Sequence, residues 1–186
     1  MLNRFFDKFI FTNNLKFVHN NFYMANEPFI VCPLSLATSL MTSKDEEFCR
    51  KVYYTIKEHV KDQIKKNSQI EFKSKDEMMN FWLEYLSYSG WGQLHLVNIN
   101  YKEKQAIVGL VDNPFTVIIK NPTENADHLM RAMLAAIFSN VLEDNIDCVE
   151  TKCALNNEKE CHFILKKEEE FDYSKPESRK QLNPKI

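Results

Sequence analysis

Residues 127–163 read DHLMRAMLAAIFSNVLEDNIDCVETKCALNNEKECHF, and the fold turns on this stretch. Its first half is a small-residue helix, started by Pro122 and Thr123, in which Ala132, Ala135 and Ala136 form a face that a sheet or helix can approach closely. Its second half holds two strand-like runs, Asn145–Cys153 and Cys161–Leu165, joined by a short polar loop. Metal-ligating atoms gather at the junctions. Asp127 and His128 stand at the mouth of the helix, Glu150 and Cys153 end the first strand, and Cys161 and His162 open the second.

A metal site needs deprotonatable donors that converge at about 2.0–2.3 Å. Seven residues separate Cys153 from Cys161, so in a hairpin the two thiols face each other across its open end. Glu150 precedes Cys153 by three positions, which in a regular strand puts the two on opposite faces. They can share one ion only if the chain bulges or turns between them. Asp127 or His128 would supply a fourth donor. His162 is a further candidate, although strand alternation turns it away from Cys161. The spacing leaves two other readings open: a hairpin with free thiols and a solvated Glu150, or a Cys153–Cys161 disulfide. E-x-x-C-x(7)-C is not one of the strong zinc signatures.

The totals narrow the function classes. The chain has 186 residues, enough for one domain with a real core, and 44% of them are hydrophobic. Its 26 acidic and 24 basic side chains create no net field that argues for nucleic acid or an anionic membrane. With only three glycines there is no phosphate-cradling loop, which speaks against a nucleotide-dependent enzyme of the usual kinds. No apolar run approaches the roughly 20 residues of a membrane span. The five cysteines follow no export signal, so a reduced cytoplasmic setting is expected, where clustered thiols lean towards metal or reactivity. Cys148, in phase with Ile146, reads as core, as does Cys32; Cys49 is assigned no role.

Outward from the central stretch, residues 2–11 read as a short amphipathic helix. Leu15–His19 and Phe29–Val31 read as an opening hairpin, with Phe22–Ala25 in its second arm. Pro33 opens a helix over Leu34–Met41. Ser43 and Glu46 form a capping box for a helix running to about Lys66, its apolar positions being Phe48, Val52, Ile56, Val60 and Ile64. A second box, Ser74 with Glu77, starts a helix that Gly90 ends. Leu94–Ile99, Gln105–Val111 and Phe115–Ile119 then read as a three-stranded meander. The polar segment after Leu165 reads as a solvated helix extension or a disordered tail. The expected class is α+β: an antiparallel sheet of four to five strands covered by helices, plus an N-terminal hairpin. The expected division is an N-terminal helix within 1–14, a domain over 15–165 and a charged tail over 166–186.

The order of hairpin, helices, Gly90-Trp91-Gly92, meander, small-residue helix and a closing E-x-x-C-x(7)-C-x-F (Glu150, Cys153, Cys161, Phe163) resembles the 4-vinyl-reductase domain. That family is a hydrocarbon-binding module related in fold to small TRAPP subunits and to the phenol-sensing domains of bacterial regulators. The resemblance covers roughly residues 15–165, and its specific parts are 90–92 and 127–163. It implies zinc held by Glu150, Cys153 and Cys161. The family's remaining cysteine position falls on Asp127, a harder donor, and His128 could substitute by a small shift. Four protein donors imply a structural rather than catalytic ion.

The resemblance also implies a small apolar pocket between helices and sheet. Phe72, Phe81, Trp82, Trp91, Phe115 and Phe138 are available to line it, although aromatics at helical spacing are commonly plain core. Trp82 and Trp91 carry indole N–H groups that can orient a ligand, and His95 could donate to a polar head group. The implied function is binding or sensing of a small hydrophobic molecule by a homodimer that passes its signal to another protein. Two alternatives follow from the same family. One is a reductase acting on a tetrapyrrole vinyl group, for which no flavin, nicotinamide or iron–sulfur motif is visible. The other is an assembly subunit that dimerises through this fold.

Overall fold

The computed structural model describes residues 15–24, 27–30, 32–66, 71–119, 127–156 and 158–182. The N-terminal helix expected over 2–11 and the helix start expected at Pro122–Thr123 lie outside them. Strands β1 (Leu15–Val18), β2 (Asn21–Met24) and β3 (Glu27–Phe29) form a small antiparallel sheet. His19 and Asn20 both take positive φ, the conformation of a two-residue hairpin turn that follows the strand twist. Phe22–Met24 therefore falls in a strand of its own, Ala25 lies outside the described residues, and the expected hairpin is a three-stranded sheet.

Three helices follow: α1 (Leu34–Met41), α2 (Glu46–Lys66) and α3 (Lys75–Leu86). The cap of α2 is Asp45 rather than Ser43. The Asp45 carboxylate accepts from the N–H groups of Glu47 (2.9 Å) and Phe48 (3.1 Å), while Ser43 Oγ accepts from Asp45 itself. Ser74 does cap α3, accepting from Glu77 N–H at 3.1 Å. A wide last turn, Ser87–Trp91, is broken at Gly90, where φ is 95°. Gly92 has no substitute: φ is 98°, and a Cβ there would stand 2.6 Å from the Leu110 side chain.

The main sheet contains β4 (Gln93–Asn100), β5 (Gln105–Val111), β6 (Ile146–Lys152) and β7 (Cys161–Lys167), all antiparallel in the order β4-β5-β7-β6. The strand expected over Phe115–Ile119 is a 3-10 turn, Pro114–Val117, instead. Asn113 accepts from Phe115 N–H at 3.0 Å and Pro114 has no N–H to give a ladder, so the chain coils there. Side-chain alternation divides the sheet cleanly. Val108 pairs with Phe163 and Leu110 with Cys161 on the buried face, whereas Gly109 pairs with His162 on the other.

Helix α4 (His128–Val141) lies against α2, α3, β6 and β7, and all of it except Met133 and Asn140 is buried. Ala132, Ala135 and Ala136 are fully enclosed, as a face built for close approach requires. On α2 the most buried positions are Tyr53 and Lys57, while Phe48 is 38% exposed, so the helix is rotated from the face its apolar row suggested. The cause is Asp147 on β6, which is fully buried and takes both the Tyr53 hydroxyl (2.8 Å) and the Lys57 ammonium (2.7 Å). A buried carboxylate must find such partners, and that requirement outweighs packing a few more methyl groups.

Strand β6 is a sheet edge, but its outward backbone groups are closed by side chains. Ser139 serves Ile146, Tyr53 and Arg131 serve Cys148, and the Gln181 amide takes both N–H and C=O of Glu150 at 2.8 Å each. Gln181 belongs to α5 (Pro176–Gln181), in the segment expected to be solvated or disordered. Phe171 and Leu182 there are buried, so this charge-dense stretch still supplies enough apolar area to fold back on the sheet. Cys148 is core as expected, whereas Cys32 is exposed. Among the described residues, no helix is long and apolar enough to cross a membrane.

Candidate metal centre

The ladder between β6 and β7 shifts register between Glu150 and Lys152: Glu150 opposes Phe163, and Lys152 opposes His162. This is the bulge without which Glu150 and Cys153 could not share one ion. It brings Cys153, just past the strand, to the same side as Glu150. A 3-10 turn over Ala154–Asn156 follows, closed by Asn156 N–H to the Cys153 carbonyl at 2.9 Å. The inward alternation of β7 delivers Cys161 from across the hairpin. One donor atom each from Glu150, Cys153 and Cys161 then lies within 4.8 Å of the others, and all three residues are buried.

The electrostatics of this group are those of acids crowded together out of water. Burial pushes the Glu150 carboxyl well above its ordinary value, and Asp127 and Cys161 nearby raise it further. The Cys153 thiol is pushed up, chiefly by its hydrogen bond to Cys161, while the Cys161 thiol is lowered to about 6 by that same bond. Donors also reach Cys161 Sγ from Ala154 N–H (3.2 Å) and Asn113 Nδ2 (3.4 Å). Without a cation the site holds one thiolate comfortably and keeps its other acids protonated. One carboxylate oxygen, Glu150 Oε1, is buried without a hydrogen-bond partner. A divalent ion would ionise all three groups and satisfy that oxygen, so this donor set fits zinc.

The remaining expected ligands are placed differently. Asp127 is 1% exposed and accepts from Asn113 Nδ2 at 3.2 Å, but it is not part of the three-residue donor group. Burial and the neighbouring Cys161 raise its carboxyl to about 7. His128 turns its Nε2 to the Leu40 carbonyl at 3.0 Å. His162 points to the other face of the sheet, where its Nε2 meets Glu160 at 2.6 Å. In the sequence Asn113 reads only as a turn residue. It is 2% exposed and ties Asp127, Cys161 and Phe115 together through one amide.

The aromatic candidates divide. Trp82 packs edge-on against Phe81 and Tyr85, and Phe81 in turn contacts Phe72 at a centroid distance of 5.3 Å. Trp91 contacts Phe115 at 6.0 Å, and Phe115 and Phe138 are fully buried core. The Trp82 indole N–H is buried with no partner. His95 stands apart from these rings. Its imidazole lies over Gly109 on the opposite face of the sheet and pairs with Glu160 at 3.5 Å.

No family model matches the chain, and no curated protein sequence matches it. Solved structures do. The phenol-responsive sensory domain of the transcription activator PoxR, with phenol, superposes with a TM-score of 0.71 at 10% identity, over 92% of this chain and 94% of that one. A trafficking protein particle complex subunit 3 from Naegleria fowleri, covalently bound to palmitic acid, matches at 14% identity and a TM-score of 0.49, over 71% of this chain and 88% of that one. A vinyl-4-reductase family protein from Methanocaldococcus jannaschii matches at 13% identity and 0.38, over 74% and 96%. The three groups that the sequence resembles are thus all found among its structural neighbours, and the α+β fold is that of the phenol-responsive domain.

Proposed function

We propose that this protein binds or senses a small hydrophobic molecule, and that a zinc ion on Glu150, Cys153 and Cys161 clasps the final hairpin beside helix α4. The observation that carries the clasp is the convergence of three buried donors around one uncompensated carboxylate oxygen. When bound, the zinc supplies a charge sink that keeps both thiolates and the carboxylate ionised in a dry site. The chain's own residues do the positioning. Asn113 and Ala154 N–H hold the Cys161 sulfur, and the Gln181 amide grips the backbone of Glu150.

The ligand reading rests on the fold shared with a phenol-responsive domain and on the Trp82 N–H, a buried donor without an acceptor. Trp82, Trp91, Phe115 and Phe138 are the residues we assign to the ligand's surroundings, with an oxygen of the ligand accepting from Trp82. Native mass spectrometry tests both parts. We expect one zinc per chain in the purified protein and its loss in Cys153→Ser/Cys161→Ser; full retention of zinc in that variant would overturn the clasp. Phenol should quench Trp82 fluorescence saturably, and a Trp82→Phe variant should bind it more weakly. No binding of phenols or longer hydrocarbons by the intact protein would overturn the sensing reading.

A second reading, self-association, is favoured by one observation. Phe17, Phe22, Leu36, Leu40, Val117 and Ile118 are large apolar side chains between 38% and 76% exposed, drawn from the small sheet, α1, and the end of the 3-10 turn with the residue after it. Such an apolar surface fits a homodimer contact.

A further inference from the structure

On the outer face of the main sheet, three strands bring a second set of donors together. His95 on β4 and His162 on β7 both oppose Gly109 on β5, so the two histidines flank one glycine. Adjacent strands lie about 4.8 Å apart, and an ordinary side chain on β5 would stand between them. Gly109 has none. The His95 ring fills that space instead: a Cβ on Gly109 would stand 2.3 Å from His95 Cε1 and 2.5 Å from its Nε2. Glu160, one residue before β7, reaches both rings. Its Oε1 meets His162 Nε2 at 2.6 Å, and its Oε2 meets His95 Nε2 at 3.5 Å. The side chains are 45% (His95), 30% (Glu160) and 23% (His162) exposed, so solutes reach them.

We propose that His95, Glu160 and His162 form an exchangeable surface site for a divalent transition-metal ion of the zinc or nickel class, on the face opposite the buried donors. Imidazole nitrogen and carboxylate oxygen suit these ions, and three such donors leave positions for water. The bare arrangement is not yet closed. Among the described residues, Glu150, Cys153 and Cys161 are the group whose donors already lie within 4.8 Å of one another. On the outer face the carboxylate turns one oxygen to each ring, and an ion would draw both Nε2 atoms to about 2.0–2.1 Å from itself. His95 can make that move, because its ring lies over bare backbone and is nearly half exposed. Lys152, opposite His162 in the ladder, is exposed, so its charge is screened. This outer site stands whether or not the buried donors hold zinc. A plain clip, in which Glu160 only ties β4 to β7, has the same hydrogen bonds but no metal response.

Nickel(II) added to the purified protein, followed through the imidazole Hε1 signals by NMR, tests this. We expect substoichiometric nickel to broaden His95 and His162 together, ahead of the exposed His19 and His59, with no thiolate-to-nickel absorption band. His95→Ala and His162→Ala should each weaken nickel by at least about tenfold. Gly109→Ala is the sharper variant. It keeps all three donors, but its methyl group displaces the His95 ring, so it should weaken nickel by a similar factor while far-ultraviolet circular dichroism and zinc content stay unchanged. If Gly109→Ala does not fold, His95→Ala, a substitution at an exposed side chain, decides alone. Equal broadening of every exposed histidine, or wild-type affinity in either variant, would overturn the site and leave Glu160 a clip. A thiolate-to-nickel band accompanying the binding would put the ion on the buried cysteines, which overturns the outer site and leaves the clasp standing.

Discussion

Asn113 shows how much one side chain can decide. Its amide oxygen coils the chain at Phe115, and its amide nitrogen donates to both Asp127 and Cys161. Asn113→Ala leaves a buried carboxylate and a sulfur without their donor, so we expect a loss of about 1–3 kcal/mol in urea unfolding. Asp127 contributes one separable part of the pH dependence. In the metal-free protein its carboxyl is raised to about 7, so the folded state keeps a proton that the unfolded chain releases near its ordinary 3.8. Its contribution is fully present below about 4 and lost as the pH rises through 7. Measured in chelator, wild-type stability should therefore fall relative to Asp127→Asn between pH 4 and 7; parallel profiles would show that Asp127 is not the group. Asp127 and Cys161 were recognisable from the motif, but Asn113 was not. An Asn before Pro is the ordinary signature of a turn, and nothing local indicates that its other face meets a residue 48 positions away.

At the level of elements, β6 is the strand on which the protein concentrates its polar commitments. Its edge is closed by four side chains from three helices, and its Asp147 anchors α2. Lys57→Met alone should cost about 3–5 kcal/mol, because it leaves Asp147 charged and buried; replacing Lys57 and Asp147 together with apolar residues of similar volume should cost much less. Gln181→Leu should cost about 1–3 kcal/mol by unsealing Glu150, with weaker zinc retention as a second readout. What was legible at this scale follows from periodicity. Helix α4 and both strands of the final hairpin are implied by spacing, whereas the bulge after Glu150 follows only if Glu150 and Cys153 share one ion. The rotation of α2 was hidden, since a lysine on a helix normally reads as solvent-facing and only the distant Asp147 makes it core. The packed C-terminal segment was hidden by its charge density, which conceals the two apolar anchors Phe171 and Leu182.

For the molecule as a whole, the donors of the proposed clasp are tied by hydrogen bonds to parts remote in sequence: the Asn113 amide links Cys161 to Asp127 at the start of α4, and the Gln181 amide links Glu150 to the C-terminal helix. Removing the metal should therefore lower overall stability rather than loosen one loop, and chelated protein should show a lower melting midpoint in a single transition. If the exposed apolar side chains, Phe17 and Leu36 among them, form the proposed self-contact, the protein should be a dimer by light scattering, and Phe17→Ser/Leu36→Ser should shift it to monomer without changing zinc content. X-ray absorption at the zinc edge of the purified protein bears most directly on the centre itself. We predict two sulfur donors at about 2.3 Å and the remaining shell of oxygen or nitrogen at about 2.0–2.2 Å. A zinc shell without sulfur, or protein that holds no zinc, would contradict the clasp.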